Sequence, residues 1–246
     1  MIIYGIHPVL EALHAGRVVR IRVADRSDER IAEVMAAASA RGVTVEQVPR
    51  DVLSHAAGRG LHQGVVAELG VSRSWSVAEL VAEAPGVPLL VVLDGVEDPH
   101  NLGAILRTAD AAGVHGVIRQ ARRAAPLDGA AAKASAGAVA HVRIATVVNI
   151  ARAVEDLKAL GVWVIGLAGD AEAVYDAVDF TEPTAVVLGA EGTGLRRLVR
   201  ERCDRTAGIP MAGHVESLNV SVAAGVVLFE AVRQRRTKGL PSPPAP

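Results

Sequence analysis

Aromatic side chains make up only 2% of the 246 residues, so a core has to be assembled from Val, Leu, Ile and Ala. The single cysteine, Cys203, excludes an intrachain disulfide and any multi-cysteine metal site. The eight histidines show no HExxH or paired-ligand spacing, so no metal is expected. No apolar run approaches the roughly 18 residues that suggest a membrane span, and no signal peptide is apparent. A soluble, cytoplasmic protein with no membrane partner is expected. A surplus of charge is missing too: 26 basic residues face 27 acidic ones, for a net charge of −1. No global basic field advertises a nucleic-acid partner, and any polyanion site has to be a local patch. Three common fingerprints are absent as well. There is no GxGxxG after a strand and no GxxxxGK[ST] phosphate loop, and Ser135 sits in KASAG rather than in a GxSxG elbow.

What is present is a chain half of whose residues are hydrophobic, enough for a full core. Residues 1–70 read as a small α/β unit. A short helix with Pro8 in its first turn runs to Leu13, and strands are expected at Val18–Ala24, Val43–Val48 and Val65–Leu69. Ser27 is placed to cap a helix, and Asp51–Ala57 forms another. Arg17, Arg20, Arg22 and Arg26 lie close together, either as a solvated face or as phosphate contacts. Residues 71–88, which mix Ser, Pro, Gly and a short helix signal, read as a linker with Trp75 as a docking anchor. From Leu89 strands and helices alternate to about residue 238, the pattern of a mostly parallel sheet covered on both faces. The PSPPAP tail, in 239–246, cannot continue a helix and is expected to be disordered.

Three stretches carry the chemistry. The first, LLVVLDGVEDPHNLGAILRTADAAGVHGVIR at 89–119, reads as a buried strand, a loop, a helix capped by Asn101 and a second strand. It presents Asn101 and Arg107 within two helical turns, where both can face the carboxyl end of the first strand, the edge at which open α/β sheets bind ligands. The second, LGAEGTGL at 188–195, leaves a buried strand through Gly189, Gly192 and Gly194 and contains one acid, Glu191. Glycines there let a ligand approach the backbone. The third, IPMAGHVESLNVSVAAG at 209–225, is a long loop that enters a helix at Ser217, Leu218 and Asn219. That helix then carries Ala223, Ala224 and Gly225, small enough for another backbone to pack close. Each stretch alone also reads as ordinary capping or tight packing.

Together the three stretches closely resemble the motifs of the SpoU (TrmH) branch of the SPOUT methyltransferase superfamily, over about 150 residues that include VLDGVEDPHNLG and LFEAVRQR. The resemblance is strongest to bacterial members that 2′-O-methylate a guanosine of large-subunit (23S) ribosomal RNA. The YGIHPVLEAL and LHQGV segments resemble the small RNA-binding domain of those enzymes, similar to ribosomal protein L30e. The implied fold is an α/β methyltransferase domain at 89–238 with a parallel sheet and a deep trefoil knot, preceded by an L30e-like α/β domain at 1–70. The resemblance implies S-adenosyl-L-methionine as methyl donor, bound by Gly189, Ile209 and Leu218 with Met211 and Gly194 as pocket lining. It also implies a homodimer with ribosomal RNA as partner.

The implied reaction is attack of a ribose 2′-oxygen on a sulfonium methyl. The donor carries its own leaving group, so no metal is required and the protein has to position two reactants and help a proton leave. The family assigns the activating role to the arginine that matches Arg107. A guanidinium ordinarily stays protonated to a pH above about 12, so stabilising the developing alkoxide is a cheaper role for it than acting as a base. Asn101 would orient the ribose or Arg107, Glu191 would orient Arg107 or Asn101, and Ser217 and Asn219 would shape the loop around both substrates. The alternatives are the same chemistry on a transfer RNA or another ribosomal nucleotide, a non-enzymatic RNA-binding protein, and a nicotinamide-dependent enzyme, which the missing fingerprint disfavours.

Overall fold

A computed structural model describes residues 1–25, 29–58, 60–70, 73–171 and 173–240. In chain order the elements are β1 (Ile2–Tyr4), α1 (Ile6–His14), β2 (Val18–Ala24), α2 (Glu29–Ala40), β3 (Thr44–Val48), α3 (Arg50–Ala56) and β4 (Val65–Leu69). They are followed by α4 (Val77–Ala82), β5 (Leu89–Asp94), α5 (Pro99–Ala111), β6 (Gly116–Gln120), α6 (Gly129–Ala134) and β7 (Ile144–Val147). The chain continues with α7 (Ile150–Ala159), β8 (Trp163–Leu167), β9 (Ala173–Val174), β10 (Thr184–Gly189), α8 (Arg197–Arg202), β11 (Arg205–Gly208) and α9 (Val220–Thr237). The expected helix cap at Ser27 and the charge at Arg26 lie outside the described residues, as does the expected tail from residue 241.

Two compact units result. The first joins Met1–Arg73 to Pro99–Arg107 and Ala125–His141. Its sheet has the order β1-β4-β2-β3, with β2 and β3 parallel and the other pairs antiparallel. Helix α1 buries Ile6, Val9, Leu10 and Leu13, the i, i+3, i+4, i+7 spacing of one helical face. The later segments are held by close fits. A Cβ on Gly137 would come within 2.4 Å of the Glu11 side chain, and Arg17 donates to the Ala140 carbonyl at 3.1 Å. A Cβ on Gly103 would lie 2.5 Å from the Ala131 carbonyl, so α5 packs on α6 at backbone distance.

The second unit comprises Ser74–Asp98, Thr108–Ala124 and the chain from Val142 onward. Seven strands in the order β7-β6-β5-β10-β8-β11-β9 pair in parallel throughout. Strand β10 is inserted between β5 and β8, both of which precede it in the chain. All residues of β5 and β10 are buried, as in a sheet covered on both faces. On one face α4, α7 and α8 close over Leu90, Val92, Val164, Ala185 and Val187. Helix α4 falls inside the stretch read as a linker. Ser76 and Glu79 form a reciprocal capping box at its start, and Val77 and Leu80 join the core. Trp75 packs against that core beneath the Arg143 guanidinium, 4.7 Å from the ring centre.

Helix α9 packs on β10 and buries Ala224, Val227, Leu228 and Ala231. Near its end Arg235 donates to the carbonyls of Val87 at 2.6 Å, Pro88 at 2.9 Å, Phe180 at 2.9 Å and Glu182 at 3.2 Å. Those carbonyls precede β5 and β10, so one guanidinium seals the amino ends of the two central strands. Burial pushes its pKa down to about 10, still high enough to keep it charged. The opposite, carboxyl edge of β8, β10 and β11 borders a cavity.

Candidate active site

The carboxyl ends of β8, β10 and β11, adjacent in the sheet, supply the floor of a cavity of about 560 Å³ through Leu167, Leu188, Gly189, Ala207 and Gly208. This is where an open parallel sheet takes its ligands, and the volume suits a small molecule. The 190–195 and 209–219 loops close it from above.

Glycine shapes the first loop by letting the chain meet itself. A Cβ on Gly189 would fall 2.2 Å from the Gly194 carbonyl carbon and 2.5 Å from the Leu195 nitrogen. Ala190 and Gly194 exchange both backbone hydrogen bonds, at 3.1 and 2.9 Å. Gly192 and Gly194 take φ values of +76° and +66°, which L side chains avoid. The space at Gly189, expected to admit a ligand, is filled by its own loop. Gly208 has a comparable constraint, with a Cβ there 2.9 Å from the Ala168 carbonyl oxygen.

The loop is anchored below by Asp94, fully buried at the end of β5. Arg196 donates its backbone N–H to Asp94 Oδ2 at 2.8 Å and its Nε to Oδ1 at 2.6 Å. Its Nη2 pairs with the same carboxylate and donates to Gln120 Oε1 at 2.8 Å. One arginine thus ties the glycine loop to the ends of β5 and β6. Sequence reading missed this pair because 102 residues separate its members; the one signal was an acid ending an apolar run.

Of the residues singled out in the sequence, Gly189, Glu191, Gly194, Ile209, Met211, Ser217, Leu218 and Asn219 all line the cavity. Asn219 caps α9: its Oδ1 accepts from the Ser221 N–H at 2.9 Å and the Ser221 hydroxyl at 2.6 Å, and its Nδ2 donates to Glu191 Oε1 at 2.6 Å. Asp170 and Glu216 also face the space, and Arg200, paired with Asp170 at 2.9 Å, is the one basic residue in the wall among the described residues. The wall therefore suits a ligand carrying positive charge. Its apolar sides, Leu167, Leu188, Ile209, Met211 and Leu218, suit a flat heterocycle.

Asn101 and Arg107 belong to the first unit. Helix α5 begins at Pro99, whose missing N–H costs nothing in the first turn, so Asn101 is the third helical residue and not the cap. It is buried at 9% exposure, whereas Arg107 is exposed. Six residues at about 100° each leave the two about 120° apart around the helix, so they do not share a face. Arg107 makes no hydrogen bond or ion pair among the described residues.

Other expectations resolve locally. The amino-terminal arginines are interleaved with acids: Arg22 lies 3.6 Å from Glu46, and Arg20 sits opposite Glu68 in the sheet. Gly225 meets only Thr108 Cγ2, at an ordinary 3.9 Å, so no backbone uses its small size in this unit. Burial, with Asp204 next, pushes the Cys203 thiol up to about 12, and the thiol donates to the Val199 carbonyl. It is a packing residue and no nucleophile at neutral pH. Among the described residues no three His, Cys, Asp or Glu side chains group as metal ligands, and no helix is long and apolar enough to cross a membrane.

Comparison with known proteins adds to this geometry. The model of the SpoU rRNA Methylase family matches residues 88–229, and a model described as RNA 2′-O ribose methyltransferase substrate binding matches residues 2–74. The 23S rRNA (guanosine-2′-O-)-methyltransferase RlmB of Pseudomonas syringae pv. tomato is 49% identical, over 97% of this chain and 98% of that one. Its namesake from Ralstonia nicotianae is 51% identical over 86% of each chain. Among solved structures, the SpoU methyltransferase AviRb from Streptomyces viridochromogenes in complex with AdoMet superposes with a TM-score of 0.81 at 27% identity, over 96% of this chain and 91% of that one. The AdoMet-bound rRNA methyltransferase from Sinorhizobium meliloti gives 0.75 at 29%, over 96% and 87%.

Proposed function

Because the chain belongs to the SpoU rRNA Methylase family, we propose that it methylates the ribose 2′-oxygen of a guanosine in 23S ribosomal RNA. The observation that carries this reading is the near full-length identity to a 23S rRNA (guanosine-2′-O-)-methyltransferase, joined to a cavity at the carboxyl edge of the sheet lined by two of the three motif stretches.

S-adenosyl-L-methionine, when bound, supplies an electrophilic sulfonium methyl group. Ile209 and Leu218 would hold its purine between apolar surfaces, Gly189 and Gly208 would let the strand ends and loops close around it, and the excess of carboxylates in the wall would favour its positive charge. Attack by the 2′-oxygen would form a C–O bond as the C–S bond breaks, with S-adenosyl-L-homocysteine leaving and the hydroxyl proton passing to water. Arg107, without a partner among the described residues, stabilises the developing alkoxide. Asn101 positions the ribose, Glu191 acts from the cavity wall, and Ser217 and Asn219 hold the third-motif loop. No step in this scheme needs a metal.

In the same reading residues 1–70 grip RNA, residues 89–238 carry the reaction, and the protein works in the cytoplasm as a homodimer. The exposed Val222 and Phe229 on α9, each 51% accessible and two turns apart, support a partner subunit. The insertion of β10 between β5 and β8 supports the trefoil-knotted trace.

The test is transfer of label from S-adenosyl-L-methionine to unmodified 23S ribosomal RNA and to transfer RNA, with the modified nucleotide mapped. One ribose-methylated guanosine in 23S RNA is the expected result. Label on transfer RNA alone would move the substrate, and no label on either would reject the activity.

A further inference from the structure

Among the described residues, three other than glycine have a left-handed backbone: Gln63, Arg123 and Ala136. Two of these conformations have local explanations. The Gln63 side chain accepts the Ile6 N–H at 3.2 Å, and Ala136 closes the turn after α6 by donating to the Lys133 carbonyl at 3.0 Å. Arg123 (φ +54°) has none. Neither it nor Arg122 makes a hydrogen bond or ion pair among the described residues, and both side chains are exposed. A backbone conformation that favours glycine but carries an unengaged arginine points to a function for the side chain outside the fold.

The place of this pair suggests what that function is. Arg122 and Arg123 leave the carboxyl end of β6, two and three residues beyond Gln120. The Ala121 N–H fixes the start of the turn on the Val147 carbonyl at 2.8 Å. Gln120 accepts from Arg196 at 2.8 Å, and Arg196 follows Leu195, which lines the cavity. The two free guanidinium groups thus stand on the same sheet edge as the cavity, tied to its glycine loop through one side chain. Among the described residues most other basic side chains of this unit are engaged, Arg197 by Glu201, Arg200 by Asp170 and Arg233 by Glu230, with Arg205 and Arg236 the exceptions. In a chain of net charge −1, a polyanion needs such an unanswered local patch.

We propose that Arg122 and Arg123 form a phosphate clamp on the catalytic unit that grips the RNA backbone beside the nucleotide being modified. Guanidinium groups suit phosphate oxygens through paired N–H donors. Contacts of this kind fix register and affinity without reading sequence. The proposal rests on RNA being the substrate, and adds that the RNA is held by the unit that carries the cavity as well as by the amino-terminal one.

The experiment compares wild type, Arg123→Gly, Arg122→Gln and the double variant for binding to a 23S rRNA fragment across a salt series. S-adenosyl-L-methionine affinity and thermal midpoint are measured alongside. Losing two phosphate contacts is expected to raise the RNA Kd about tenfold near physiological salt and to flatten the slope of log K against log salt by about 1.5. S-adenosyl-L-methionine affinity stays unchanged. Arg123→Gly is the diagnostic substitution, because glycine relieves the left-handed backbone: it is expected to bind RNA less tightly while melting at the same or a higher temperature. Unchanged RNA affinity and salt slope in a folded double variant would overturn the clamp while leaving the proposed activity standing. A wild-type protein that neither binds nor methylates 23S rRNA would overturn both.

Discussion

Asn219 joins Glu191 to the start of α9: its Nδ2 donates to Glu191 Oε1 at 2.6 Å while its Oδ1 accepts both hydrogen bonds from Ser221. The two ends of one amide therefore have separate tasks, one structural and one directed at the cavity. Substitution can separate them. Glu191→Ala removes the carboxylate and leaves the cap, so methyl transfer is expected to fall at least about tenfold with the melting temperature within about 1–2 °C of wild type. Asn219→Ala removes both, adding a loss of about 1 kcal/mol for the missing cap. Transfer rates read beside thermal melts check this; a full rate for Glu191→Ala would remove that residue from the mechanism.

The glycine loop gives a second prediction. Gly189→Ala would place a methyl group against the Gly194 carbonyl carbon, backbone that cannot rotate away. Relief requires the loop to shift, at about 1–3 kcal/mol, and S-adenosyl-L-methionine affinity is expected to fall more than about tenfold by calorimetry. Gly213→Ala is the control: nothing lies within 4 Å of its Cβ position and its φ is not positive, so affinity should hold.

His115 makes stability depend on pH. Its Nδ1 accepts the Leu89 N–H at 2.9 Å, and burial, then Arg235 and Arg143, lower its pKa from 6.5 to about 4. The unfolded chain takes up a proton near 6.5 while the folded one resists to about 4. The contribution is therefore complete above pH 6.5 and is lost as pH falls toward 4. Denaturant midpoints between pH 7.5 and 4.5 should decline, and less steeply in His115→Gln. Equal slopes for the two proteins would assign the decline to other groups.

The strands and helices nearest the site were legible because local pattern and tertiary placement agree. Leu89–Leu93 and Thr184–Leu188 read as buried runs, and Asn149 caps α7, accepting from the Arg152 N–H at 3.2 Å. Strand β1, three residues long, is too short to show a period. The alanine-rich α6 lacks a polar face to contrast with its apolar one. The helix start at Pro99 was displaced to Asn101 because asparagine is the stronger cap signal. Within the cavity the parts of the wall from 188–195 and 209–223 were readable from two of the three motifs, but the reasons were not. The contact that forbids a side chain at Gly189 comes from Gly194, and the grip of Arg196 on Asp94 crosses 102 residues, so both exist only after folding.

Arg107, unengaged among the described residues, is proposed to act on the acceptor oxygen and not on the methyl donor. The most direct measurement is single-turnover methyl transfer to 23S ribosomal RNA by Arg107→Ala, beside calorimetric affinity for S-adenosyl-L-methionine in the same preparation. The account predicts transfer reduced by at least about a hundredfold with donor affinity within a few-fold of wild type. Normal transfer by Arg107→Ala would contradict the mechanism even with the family and substrate unchanged.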